Sequence, residues 1–347
     1  MLKASIIIPT YNSVNQLERA LNSIVNINFD QNQFETIIVD NGSNDNTGFF
    51  VTNFIKQHSS HKIRYIYDAV PGLLSGRHRG AQESLSDILV FVDQDIYADE
   101  NWLSSIVDTF MRFPDIHMIG GKCLPKYEKE PPLWLNYFWN TLKNGEKMLC
   151  ELSLCDYGDK EKEIDPSFIF GLNFSIRKES LYALGGFHPD AIPPFQQYLQ
   201  GDGETGLSYK AIEKGYKAFY QPKALVYHEV PSERMTLGYF DKRFFYQGIS
   251  NSYSEIRKNK VITNLNSNTD IKKTIKNILR PFIRRFLPKS KLPIIHEIIF
   301  EKEMLLARFG AMERAGYNFH QEMTRKSPEV MEWVLKENYF DYNLPKI

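Results

Sequence analysis

Four short stretches in the first hundred residues are almost continuously apolar and rich in β-branched side chains: Ser5 to Ile8, Thr36 to Val39, Ile63 to Tyr67 and Ile88 to Val92. Runs of this kind suit strands covered on both faces of a parallel sheet. Between them the period changes. Leu17, Leu21, Ile24 and Val25 recur at helical spacing, as do Trp102, Ile106, Val107 and Phe110, so each set marks one side of an amphipathic helix. Ser13 or Asn15 is placed to open the first of these helices. Alternating strand and helix predict βαβ units under a mostly parallel, Rossmann-like α/β sheet flanked by helices. From Lys122 to Glu163 the pattern loosens into a Pro-rich aromatic stretch (EKEPPLWLNYFW) and a charged one (GDKEKEID), read as a loop-rich cover over the site. Regular structure is expected again from Phe168 to about Glu229, and a mostly helical pattern follows Pro231. The expected division is a catalytic domain over 1–230 and a mainly helical C-terminal extension over 231–347.

Composition narrows the class. At 347 residues, the chain has room for about two domains of roughly 150 residues. Its 42 basic and 42 acidic residues cancel, so no global charge draws a polyanion and nucleic acid is not an expected partner. Three cysteines, Cys123, Cys150 and Cys155, are too few for a disulfide framework. Cys150 and Cys155 could form a metal pair, but no further Cys or His stands near them, so reduced thiols are expected. The opening MLKASIIIPTYN is too short for a signal-peptide core. No run approaches the roughly 18 to 20 apolar residues of a spanning helix. The expectation is a cytoplasmic protein.

In an open parallel sheet, ligands sit beyond the carboxyl ends of the strands. After the first run stands Pro9-Thr10-Tyr11-Asn12, and after the second Asp40-Asn41-Gly42-Ser43. After the third comes a loop from Pro71 and Gly72 through Gly76, Arg77 and Gly80, and after the fourth Asp93-Gln94-Asp95. Four polar loops at matched strand ends suggest a crevice. Asp40 can accept hydrogen bonds from a base or ribose, and Tyr11 offers a ring to stack on. Arg77 can neutralise a phosphate, with Gly72 and Gly76 allowing close backbone approach. Asp93 and Asp95 offer hard oxygens to sugar hydroxyls and to a divalent cation. A lone Asp-x-Asp can also be a surface turn; its place directly after a buried strand favours function.

These motifs together resemble the inverting glycosyltransferase family two, of GT-A fold: IIIPTYN, VDNGSND, the GRHRG run and Asp93-Gln94-Asp95. Gly171-Leu-Asn-Phe-Ser-Ile-Arg177 with Leu184-Gly-Gly-Phe187, and Gly201-Asp-Gly-Glu-Thr205 ahead of Gly215-Tyr216, extend the likeness over about Lys3 to Val230. The resemblance implies a nucleotide-diphosphate-sugar donor, UDP-linked most commonly, and a glycan or lipid-linked glycan acceptor. It implies that Pro9, Tyr11, Asn12, Asp40 and Ser43 hold base and ribose, with Gly72, Arg77 and Asp93 near the diphosphate. It implies a Mn²⁺ or Mg²⁺ ion on Asp95, completed by His228, which could otherwise simply cap a strand end. One departure stands out. The family carries Glu-Asp where this chain has Gly203-Glu204, which puts Glu204 in the place of the catalytic base, with Asp202 as rival. Both acids could instead cap a helix. A nucleotidyltransferase, or a non-catalytic nucleotide-sugar binder, would share the layout. The first usually has a Gly-rich basic loop after its first strand, absent here, and intact Asp93, Asp95 and Glu204 count against the second.

Between Ile271 and Lys291 lie eight basic residues and no acidic one, interleaved with apolar residues at helical spacing. The segment 271–291 reads as a membrane-surface helix at the cytoplasmic face of the inner membrane, or as a helix packed on the core. The last stretch, from His296 to Tyr342, is expected to be helical, packing on the core or in a homodimer contact.

Overall fold

The computed structural model describes residues 2–265 and 292–340. The expected basic segment 271–291 lies outside the described residues, so neither reading of it meets a structural test. Its elements run β1 (Ala4–Thr10), α1 (Val14–Val25), β2 (Phe34–Asp40), α2 (Thr47–Gln57), β3 (Ile63–Tyr67), α3 (Leu73–Glu83), β4 (Ile88–Val92), β5 (Ile96–Ala98), α4 (Trp102–Arg112) and β6 (Ile116–Tyr127). There follow β7 (Asn140–Thr141), β8 (Lys147–Leu149), β9 (Leu154–Asp156), β10 (Lys162–Ile164), β11 (Asn173–Arg177), α5 (Lys178–Ala183), α6 (Gly203–Glu213), β12 (Lys217–Val230), α7 (Leu237–Leu265), α8 (Leu292–Lys326) and α9 (Pro328–Leu335).

The sheet order is β3-β2-β1-β4-β11-β6, continuing through β9-β8-β7, while β12 runs parallel to β6. β1 pairs in parallel with β2 and β4, and β2 with β3; β11 is inserted antiparallel between β4 and β6. All seven residues of β1 and of β2 are buried. This explains why those strands read as continuous apolar runs: helices cover both faces, and each fully buried isoleucine contributes about 1.5–3 kcal/mol. Leu17, Leu21 and Ile24 of α1, and Trp102, Ile106, Val107 and Phe110 of α4, face the core as their spacing required.

Two expectations change. The run from Leu73 to Gly80 is not a loop but the body of α3, with Gly72 preceding it at φ +106°. Its glycines serve packing rather than ligand approach: a Cβ on Gly76 would strike Asn41 and Pro9, and one on Gly80 would strike Ile7. Their absence lets α3 lie directly on β1. Second, Lys122 to Tyr127 continue the long strand β6, so the irregular cover begins only after it. There, Cys123 faces Cys155 across β6 and β9, and all three cysteines are free thiols.

Beyond β12, α7 and α8 pack side by side. Gly248 meets the carbonyl of Glu313, and Gly316 that of Phe245, so either glycine with a side chain would force the helices apart. Phe240 and Phe309 join Phe138 in an aromatic cluster beneath β8 and β9. Tyr253, Trp333, Val334 and Tyr339 share one hydrophobic core with β1, β4 and β11. The C-terminal region therefore packs on the sheet domain rather than standing away from it. No described helix is long and apolar enough to cross a membrane.

Candidate active site

Two clefts meet at the carboxyl ends of β1 and β4. One, of about 790 Å³, runs over the loops after β1, β2 and β3, between Tyr11 and Tyr67 on one side and Pro193 to Phe195 on the other. Tyr11, Tyr67 and Phe195 are exposed, three aromatic rings lining a slot. The second, of about 680 Å³, extends from Arg77 and Glu204 to the face of α7. Leu73, Asp93, Asp95 and Arg234 border both.

At the junction the carboxylates of the Asp-x-Asp segment divide between two arginines. Asp93 Oδ1 accepts from Arg77 Nη2 at 3.2 Å, and Asp95 Oδ2 from Arg234 Nη2 at 2.8 Å. The other nitrogen of Arg234, Nη1, donates to His228 Nε2 at 2.9 Å, while His228 Nδ1–H donates to the carbonyl of Leu152. Burial pushes the Asp93 carboxyl up, with Arg77 opposing. For Asp95 the upward push of burial is outweighed by His228 and Arg234, which bring it down to about 2. Gln94, the residue between them, ties strand ends together: its carbonyl accepts from Thr10 Oγ1 and the Tyr11 N–H, and its amide donates to Ser13. Ser13 precedes α1 but its hydroxyl makes no cap hydrogen bond to that helix.

Glu204 sits in the first turn of α6, where the helix dipole favours a carboxylate. Its Oε1 accepts the Gly171 N–H at 3.0 Å, and its Oε2 lies 3.7 Å from Arg77 Nη1. Burial raises its pKa, Arg77 opposing and Asp190 adding to the rise. Asp202 is differently placed. Oδ1 bonds His188 Nδ1 at 2.6 Å and Oδ2 accepts from Ser254 at 2.5 Å, in a fully enclosed dyad that leaves His188 Nε2 without a partner. Gly206 makes room for that dyad, since a Cβ there would strike both the His188 ring and the Asp202 carboxylate.

A scan of family profiles matches residues 5–184 to Glycosyl transferase family 2. The chain belongs to glycosyltransferase family 2. As a family 2 chain it is 23% identical over 194 residues to a glucosyl-dolichyl phosphate glucuronosyltransferase of Haloferax volcanii, covering 54% of this chain and 57% of that protein. It is 36% identical over 200 residues to the uncharacterized glycosyltransferase YfnE of Bacillus subtilis, covering 54% of this chain and 50% of that one. The chain thus spans about half the length of these curated relatives. Among solved structures, a mannosyltransferase of Pyrobaculum calidifontis, in complex with GDP-mannose and Mn²⁺, superposes with a TM-score of 0.52 at 16% identity, over 98% of this chain and 85% of that one. The shared fold is GT-A: a mostly parallel sheet flanked by helices, with a helical C-terminal region.

Within this family 2 site, the residues expected from sequence fall into three groups. Pro9, Tyr11, Gly72 and Asp93 line the first cleft, and Arg77, Asp202, Glu204 and His228 the second; Asp95 borders both. Asp40 is buried, Ser43 half-buried and Asn12 exposed, and none of the three lines either cleft. Asp40 accepts from Tyr65 and from the Ser43 N–H, and Asn12 and Ser43 bind loop to loop. Their hydrogen bonds hold together the loops that follow β1 and β2. Arg77, expected beside a diphosphate, is buried between Asp93 and Glu204 because it rides on α3. The expected cation on Asp95 and His228 finds one free oxygen, the buried Asp95 Oδ1. Arg234 already fills the place between the two side chains, and no group of three or more His, Cys, Asp or Glu among the described residues could hold a metal. As placed, these residues do not fit a metal ion. Arg234 and Tyr67 were not anticipated. Tyr67 could have been found as the last residue of its strand, level with Asp40 in register. Arg234 follows a proline in a plain Ser-Glu-Arg sequence, and only the return of β12 beside β5 brings it to Asp95.

Proposed function

We propose that the chain moves a sugar from a nucleotide-diphosphate sugar, UDP-linked by resemblance, to a hydroxyl of a glycan or lipid-linked glycan, inverting the anomeric centre. The observation that carries this reading is the meeting of two clefts at Asp93, Asp95 and Arg234, with Glu204, a carboxylate whose pKa burial raises, lining the second cleft and not the aromatic slot. The base stacks in the slot between Tyr11 and Tyr67. Arg234, the cation at the junction, meets the diphosphate and the negative charge that builds on it as its bond to the anomeric carbon breaks. The acceptor hydroxyl enters from the second cleft. Its oxygen bonds the anomeric carbon from the opposite face, its proton passes to Glu204, and the nucleoside diphosphate leaves with the bonding pair. Arg77 lies within reach of both Glu204 and Asp93, and its charge opposes the rise that burial gives the Glu204 carboxyl. Asp202 supports the helix that carries Glu204.

The experiment is calorimetry with UDP, GDP, dTDP and CDP, each with and without Mn²⁺, on the protein and on Arg234→Ala. Binding of one nucleotide, weakened at least tenfold by the substitution, supports the reading; no binding of any nucleotide removes it. The configuration of a transferred sugar, read by the anomeric coupling in NMR, tests inversion.

A further inference from the structure

The second cleft is far larger than a single hydroxyl requires. Its long wall is one face of α7, where Tyr239, Arg243, Tyr246, Ser250, Ser254 and Lys258 follow one another at intervals of three or four residues. That spacing puts all six on one stripe. The nineteen steps from Tyr239 to Lys258, at about 1.5 Å each, make a wall about 28 Å long. The stripe holds no aliphatic side chain. It is half-buried near the junction and becomes exposed at Lys258, so the cleft opens outward. Ser250 and Ser254 anchor it to the Gly201 carbonyl and to Asp202, which sets the stripe in register with Glu204.

Two residues that line this cleft each bury a polar atom without a partner: Arg243 its Nε, a donor, and Glu151 its Oε2, an acceptor. Sugar hydroxyls suit both, since a hydroxyl can accept from the one and donate to the other. A phosphate would meet the Glu151 carboxylate, and an alkyl chain would leave both atoms unpaired. The aromatic rings of Tyr239 and Tyr246 on either side of Arg243 offer apolar faces to the C–H surface of a sugar ring.

Resting on the function proposed above, we propose that this wall is an acceptor site of several subsites: a neutral oligosaccharide lies along α7, its ring next to the reacting hydroxyl held by Tyr239, Arg243, Tyr246 and Glu151. The acceptor is thereby recognised over several rings and not only at its terminal one.

The test is a titration of the full chain, with nucleoside diphosphate present, against gluco-, manno- and N-acetylglucosamine oligosaccharides of one to six rings. In at least one series, affinity should climb about tenfold between one ring and four. Arg243→Ala, and Gln247→Trp at an exposed position of the same wall, should each erase that climb; the second variant obstructs the cleft without touching the buried pair. Affinity independent of length in every series, or a climb that survives both substitutions, overturns the proposal. Nucleoside diphosphate binding, recorded first, separates the two readings. If it is present while no oligosaccharide binds, the acceptor assignment alone falls; if it is absent, the proposed function falls with it.

Discussion

Replacing Glu204 by Gln tests the assignment of the base with the least disturbance. The glutamine carbonyl can keep the Gly171 N–H that Oε1 accepts at 3.0 Å. Arg77 loses its weaker partner, 3.7 Å away, but retains Asp93 at 3.2 Å, so no buried charge is stranded. Folding stability should therefore fall by no more than about 1–3 kcal/mol. Proton removal is lost altogether, and general bases contribute on the order of 10²- to 10⁴-fold, about 2.7–5.4 kcal/mol in the barrier. The assay is release of nucleoside diphosphate from the nucleotide sugar whose diphosphate binds, with water as acceptor, alongside calorimetry of the diphosphate itself. The expected result is a fall of at least a hundredfold in rate with binding unchanged. Asp202→Ala provides the contrast. It strands His188 Nδ1 and Ser254 inside the protein, a loss of about 3 kcal/mol or more, so Tm should fall on the order of 10 °C. A Glu204→Gln protein within threefold of the parent rate, beside an Asp202→Asn protein that is fully folded and inactive, would refute the reasoning and exchange the two roles.

Further expectations follow from the same geometry. Because burial raises the Glu204 pKa against the opposition of Arg77, the acid limb of kcat/KM should lie above the ordinary glutamate value. Arg77→Met removes that opposition and should move the limb to still higher pH. Since Arg234 occupies the place between Asp95 and His228, Mn²⁺ alone should bind the nucleotide-free protein more tightly after Arg234→Ala, as followed by electron paramagnetic resonance. Gly206→Ala drives a methyl into His188 and Asp202 and should cost about 1–3 kcal/mol, measured by thermal or urea unfolding.

The parts of the fold that the chain discloses directly are those whose neighbours are uniform. Ile63–Tyr67 and Ile88–Val92 appear in the structure with the boundaries their apolar runs suggest: β4 is buried along almost its whole length, while β3, at the sheet edge, buries Ile63 and leaves Tyr67 exposed. α3 was misread as a loop for a physical reason. Its glycines, Gly76 and Gly80, carry poor helix signals, yet they are what a helix pressed onto β1 must contain. Of the candidate site, Asp93, Asp95 and Glu204 were legible because each stands just after a strand or in the first turn of a helix, and His228 because it lies near the end of a strand. Arg234 was not, since its partner lies 139 residues away and its local sequence resembles any surface turn. The dual attachment of Asp202 was equally hidden, for it depends on Ser254 from α7.

The attachment of His78 reaches further than stability. Its ring is buried beside Arg77, its Nδ1–H donates to the carbonyl of Tyr339, and Phe340 stacks on it at 4.3 Å. Tyr339 also closes onto Gly185 through its N–H and onto the Trp333 carbonyl through its hydroxyl. His78 and Tyr339 are 261 residues apart. At ribosomal rates of about 5–20 residues per second, they emerge roughly 13 to 50 seconds apart. For that whole interval a nascent chain holds β1 to β4 and α3 without the strap that fills the space behind Arg77. The candidate site thus takes its final shape only once Tyr339 has emerged, and a ribosome stalled before Tyr339 carries a chain that has Arg77, Asp95 and Glu204 but not their settled arrangement.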